Sequence, residues 1–172
     1  ANPEKKEMIF NWETLRRIAG GYWRDVWKVA NVPAGIPTAE LVALKTIRYM
    51  HALQQRNFDR HRRDAVAMER LTASPFIMNI YASCGNSGFF EYADGGSLEE
   101  SIWESDQSTP WTSEEKLIVA YQVSSGIAEV HNAIMEGVPA IAHTDISLGQ
   151  FVYLSNEGVF RLNDFNRCRF IG

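Results

Sequence analysis

Long apolar runs are missing from this sequence. No stretch approaches the roughly 18 consecutive apolar residues of a membrane-crossing helix, and no leader-peptide pattern opens the chain. Cysteine is scarce: Cys84 and Cys168 are the only two, far apart and without metal-ligand spacing, which excludes a disulfide framework and points to a reduced, intracellular (cytoplasmic) setting. Basic excess is missing too. The 17 Lys and Arg against 21 Asp and Glu give a net charge of −4, which excludes a nucleic-acid partner held by bulk charge. No internal repeat and no low-complexity segment occurs. What is present is an ordinary globular composition, 45% hydrophobic and 22% charged over 172 residues, enough for one domain or part of a larger one. The chain opens on Ala1, which points to a start inside a longer protein whose other regions could carry a membrane attachment. Arg56, Arg60, Arg62 and Arg63 form a local basic cluster, read as a solvated helix face.

Punctuation and periodicity divide the chain. Ile9–Ile18, Val26–Val32 and Leu41–Ile47 are β-rich runs broken by Gly20-Gly21 and by the segment from Pro33 to Pro37, which predicts a three-stranded antiparallel meander. Phe58–Leu71 is helix-favouring, with Ala65, Met68 and Leu71 on one face, and stops before Ser74-Pro75. Ile77–Cys84 and Gly88–Tyr92 read as strands joined by a turn-rich link, and Asp94-Gly95-Gly96-Ser97 breaks the pattern. Thr112-Ser113-Glu114-Glu115 has the form of a capping box ahead of Leu117, Ala120, Val123, Ile127 and Val130 at helical spacing. Phe151–Leu154 and Val159–Leu162 flank Ser155-Asn156-Glu157-Gly158 as a hairpin. Strands come mostly first and helix mostly later, an α+β, two-lobed arrangement.

Six segments carry chemistry. Val42-Ala43-Leu44-Lys45 ends a strand on a lysine, and alternation keeps Lys45 and Ala43 on one face, away from Val42. The turn from Ala19 through Gly20 and Gly21 to Val26 can be laid on G-x-G-x-x-G-x-V, with Ala19 and Arg24 in place of the outer glycines. Asp64-Ala65-Val66-Ala67-Met68-Glu69-Arg70-Leu71 offers two carboxylates. They are five residues apart and so roughly 140° apart around a helix, which allows only one of them to face a given lysine. The remaining three are Phe90-Glu91-Tyr92-Ala93-Asp94-Gly95-Gly96-Ser97-Leu98, then His143-Thr144-Asp145-Ile146-Ser147-Leu148-Gly149-Gln150, then Asp164-Phe165-Asn166. In this order and spacing they resemble the eukaryotic-type protein-kinase family from about Ile9 to Gly172.

The resemblance implies a kinase-like fold, with an N-terminal lobe over 1–92, a hinge at about 91–96 and a partial, helical C-terminal lobe over 97–172. It implies ATP and Mg²⁺ as cofactors and a protein hydroxyl as acceptor. Lys45 would hold the α and β phosphates and Asp64 would pair with Lys45, while Asp145 would act as the base. Gln150 and Asp164 would be the metal ligands. Ala19, Gly20, Gly21 and Val26 would cover the nucleotide, and Ala43, Phe90, Glu91, Tyr92, Ala93 and Val152 would surround adenine, with Phe90 closing the space behind it. Phe165, His143, Met68 and Ile80 would stack between the lobes.

The departures from the family pattern define the rival reading. Thr144 stands where the family has the arginine that receives an activation-loop phosphate, Ser147 where many members have lysine, Gln150 for asparagine and Asn166 for glycine. No Arg or Lys lies between His143 and Gln150, so one phosphoryl-stabilising cation is missing. The alternative is therefore a pseudokinase, a nucleotide-binding or scaffold module without catalysis. Phosphoryl transfer to a small molecule fits less well, because the Glu91-Tyr92 segment and Phe165 follow the protein-kinase branch. The chain stops before any A-P-E segment, so the piece is expected to lack the protein-substrate platform and to be poorly stable.

Overall fold

The computed structural model describes residues 9–32, 40–51, 54–72, 74–103 and 110–171. The architecture is α+β, with few helices. Strands β1 (Phe10–Gly20), β2 (Arg24–Asn31), β3 (Glu40–Ile47), β4 (Ile80–Cys84) and β5 (Ser87–Glu91) form one antiparallel sheet in the order β1-β2-β3-β5-β4. Helix α1 (Gln55–Arg70) links β3 to β4. Helices α2 (Leu98–Trp103) and α3 (Ser113–His131) follow the sheet. Next come β6 (Ile141–Ala142), a 3₁₀ turn at Leu148–Gln150, the hairpin β7 (Phe151–Leu154) and β8 (Val159–Leu162), and β9 (Arg169–Phe170), which pairs with β6. The Pro33–Pro37 break lies outside the described residues.

Alternation on the strands builds two cores. Val29, Val42 and Leu44 face outward with Phe10, Trp27 and Phe89, and Phe10 stacks on Phe89 at 4.1 Å. Ala43 and Phe90 face inward and join Ala67 and Met68 of α1 and Leu71 at its C-cap, then Ile77, Phe151, Leu162 and Phe165 from later in the chain. On α1 the buried positions Asp64, Ala67 and Met68 recur at three to four residues, continued by Leu71, so a carboxylate lies on the apolar face. Glu69 is exposed.

The capping box forms as expected: Thr112 Oγ1 accepts from the Glu115 N–H at 3.2 Å, and Glu115 accepts from the Thr112 N–H at 2.7 Å. The buried stripe of α3 differs from the apolar spacing. Gln122, Gly126 and Val130 are buried, whereas Leu117 and Ala120 are exposed. The reason is the partner: Gln122 bonds both Gly158 O (3.1 Å) and the Phe160 N–H (3.0 Å), and a Cβ at position 126 would lie 3.1 Å from Phe76 O. A polar residue and a glycine thus dock the helix on the β7–β8 hairpin.

Two connections join the sheet to the helical part. Residues 76–78 run beside β8, with bonds from the Leu162 N–H to Phe76 O and from the Met78 N–H to Leu162 O. Gly95 and Gly96 exchange backbone bonds with Tyr153 of β7. Among the described residues no helix is long and apolar enough to cross a membrane. Both cysteines are free, Cys84 exposed and Cys168 buried.

Candidate functional site

The inner face of the sheet, α1 and the segment after β8 converge on one buried charge set. Arg24 and Val26 share a face of β2, and Val26 lies opposite Lys45 of β3. From this face Arg24 forms ion pairs with both Asp64 of α1 and Asp164. Asp64 also accepts from the Phe165 N–H at 2.7 Å, so both of its oxygens are engaged. Lys45, 5% exposed, donates to Asn163 Oδ1 at 2.7 Å and lies 4.4 Å from the centre of the Phe90 ring.

This corrects the expected pairing of Asp64 with Lys45: the partner of Asp64 is Arg24. The physical reason is reach. Arg24 begins β2 on the inner face, and its planar fork bonds Asp64 and Asp164 at once, while the Lys45 ammonium is turned to Asn163. Burial opposes the charge of Arg24, but Asp64 and then Asp164 more than offset it, so its pKa is raised. Burial would push Asp64 up, yet Arg24 and Lys45 hold its pKa below the ordinary carboxylate value. Burial lowers the pKa of Lys45.

Asp145 lies at the rim, where Arg167 donates to it at 3.0 Å. Thr144, at φ +62°, donates its hydroxyl to Arg167 O at 2.7 Å, so the loop before β7 and the segment after β8 are stitched together twice. Gln150 comes close to this segment through its backbone, its carbonyl accepting from the Asn163 N–H at 2.9 Å. Asp164 is held at φ +59°. His143 meets Phe165 edge to face at 4.7 Å, and its Nε2 lies 3.0 Å from Asn163 O; burial lowers its pKa. Met68 and Phe165 are fully buried in the same core, with Ile80 packed against it, and of the four expected stacking residues His143 and Phe165 are in ring contact.

The other candidate residues divide between cleft and surface. Ala43 and Phe90 are buried, while Val26, Tyr92, Ala93 and Val152 are half-buried against the inner core. Ala19 and Gly20 are exposed in the β1–β2 ladder opposite Val26 and Asp25. Gly21 sits in the turn, where an added Cβ would meet nothing within 4 Å. Glu91 is differently employed: its carboxylate accepts from Arg161 at 2.7 Å and from Asn79, and its N–H bonds Asn79 O. The basic cluster is only partly a solvated face. Arg56 and Arg60 lie over the Trp23 ring at 5.4 and 4.2 Å, and Arg63 donates to Cys168 O at 3.3 Å.

Sequence reasoning missed Arg24, Arg161, Asn163 and Arg167 as site residues. For Arg24 a signal existed, since its even spacing from Val26 places both on one face of β2.

Magnesium takes hard oxygen ligands that bring negative charge. Here the carboxylates of Asp64 and Asp164 already face two cations, Arg24 and Lys45, and Gln150 offers only a neutral carboxamide. Among the described residues no group of three or more His, Cys, Asp and Glu side chains is placed to hold a metal ion. In this arrangement Arg24 stands on the carboxylate of Asp164 that was expected to ligate the ion. Comparison with known families finds no family model that matches the chain, and comparison with curated proteins finds no match.

Proposed function

We propose that this chain is a protein-kinase-like domain that binds ATP between the sheet and the helical part and transfers its γ-phosphoryl group to a protein hydroxyl, in a cytoplasmic setting. The observation that carries this reading is the buried charge set. Lys45 from β3, Asp64 from α1 and Asp164 from beyond β8 are distant in sequence, yet meet beneath the β1–β2 turn. The shifted pKa values of the buried Lys45 and Asp64 are of the kind that cluster at functional sites, and the family-like order of these residues along the chain favours a site over a purely structural ion-pair network. In this reading Lys45 and Arg24 face the phosphates, Phe90 closes the space behind the base, and Asp145 accepts the proton of the acceptor hydroxyl. That oxygen bonds the γ-phosphorus as the bond to the bridging oxygen breaks, leaving ADP. Arg167, beside Asp145, stands where positive charge is useful as the transferring group passes.

The test is incorporation of labelled phosphate from ATP into a mixed panel of protein substrates, with Asp145→Asn as control. Transfer lost in the variant is the expected result, and equal incorporation by both proteins would sink the catalytic reading. A second reading, the pseudokinase, is favoured by Arg24, whose ion pairs occupy both carboxylates. It predicts nucleotide binding with no transfer in either protein.

A further inference from the structure

Arg24 is 6% exposed and bonded to carboxylates from two different elements. With Lys45, which is 5% exposed, and the carboxylates of Asp64 and Asp164, it gives a set of two cations and two anions. A divalent ion arriving at Asp164 would share that carboxylate with a guanidinium and add positive charge to a set already balanced, so Coulomb repulsion opposes it in a low-dielectric site. A chain of phosphates gains no net attraction from a balanced set either, but unlike a cation it can use the N–H donors that the set leaves unspent. The guanidinium has more N–H donors than its two carboxylate bonds use, and the Lys45 ammonium has donors beyond the one given to Asn163. The planar fork is suited to bidentate phosphate recognition while Asp64 and Asp164 hold it in place.

We propose that Arg24 takes the place of a metal ion in this cleft, so that the chain binds the phosphates of a nucleoside triphosphate through Arg24 and Lys45 without needing a divalent cation. This rests on the nucleotide reading above and changes its ionic requirement.

The test is calorimetric titration of ATP into the chain in excess EDTA and, separately, in excess Mg²⁺. Dissociation constants equal within about threefold, or tighter in EDTA, are the expected result. Binding seen only with Mg²⁺ overturns the metal-free inference and leaves the nucleotide reading standing. Absence of binding in both conditions overturns the two together. Arg24→Gly, folded by near-ultraviolet circular dichroism, is expected to weaken binding in EDTA by more than about tenfold; unchanged affinity overturns the assignment. Should that variant not fold, Arg24→Lys keeps the charge and removes the fork. It is expected to weaken metal-free binding several-fold, and an unchanged affinity again overturns the role given to the guanidinium.

Discussion

Arg167 reaches back across 22 residues to donate to Asp145 at 3.0 Å, with side chains 60% and 35% exposed. The segment from His143 to Gln150 contains no cation of its own. The positive charge beside Asp145 therefore arrives from the stretch after Asp164, delivered by the turn that Thr144 helps to fasten.

Arg167→Ala separates a chemical role from a structural one. A partly exposed pair contributes at most about 1 kcal/mol, so the unfolding midpoint in urea stays nearly unchanged. The rate of phosphoryl transfer is expected to fall on the order of a hundredfold, with nucleotide affinity kept. A variant as fast as the parent would remove Arg167 from the site.

Asp64→Asn leaves the buried Arg24 without the fully buried one of its two counterions. The expected cost is about 3 kcal/mol, read from chemical denaturation. Replacing the pair together, Arg24→Met with Asp64→Leu, recovers part of that loss because neither charge is then left buried and alone. Losses that simply add would show the two residues to be energetically independent.

Acid stability follows from His61 and Asp64. Burial, with Arg24 nearby, lowers the pKa of His61 from 6.5 to about 4. A histidine depressed in the folded state binds its proton more readily when unfolded. Stability is therefore full above pH about 6.5 and falls as the pH drops towards about 4. His143, also depressed by burial, acts in the same direction. Below the ordinary carboxylate value of 3.8 the unfolded chain protonates first at Asp64, and a further loss sets in. Denaturation midpoints measured from pH 8 to pH 3 should show both declines, and His61→Gln should flatten part of the upper one. An unaltered slope in that variant would assign the decline elsewhere.

Arg161 ties β8 to three places in the chain, through Pro75 O at 3.1 Å, Glu91 at 2.7 Å and Glu157 at 2.5 Å. Arg161→Met keeps the packing volume but strands the carboxylate of Glu91 with Asn79 alone among these partners, at an expected cost of about 3 kcal/mol. Glu157→Gln, on the exposed side of the same arginine, should cost less than about 1 kcal/mol. Comparable losses in the two variants would contradict this ranking.

Local signals carried the strands and the long helix into view. The β7–β8 hairpin falls at Phe151–Leu154 and Val159–Leu162, as its turn residues predict, and the capping box at Thr112 marks the start of α3. Helix α2 escaped, although Ser97 and Glu100 satisfy each other's backbone N–H groups at 3.2 and 2.7 Å in the same S-x-x-E pattern. The glycines at 95 and 96 masked it. The site was legible where chemistry follows the order of residues, as with Asp64, whose choice over Glu69 rests on the family-like spacing of Asp64, Met68 and Leu71. It was illegible where a side chain crosses the fold. Nothing in the neighbourhood of Arg24 announces that Asp164, 140 residues on, will meet it.

The Trp23 ring is gripped by Arg56 and Arg60 of α1 and packs on His51 at 4.7 Å. This fastens the tip of the β1–β2 turn to the outer end of the helix, while Arg24, the next residue, fastens its base to Asp64 further along the same helix. Turn and helix thus form one lever with two rivets. Because the indole of Trp23 sits at this junction, its fluorescence would register any change in the spacing of the turn and the helix.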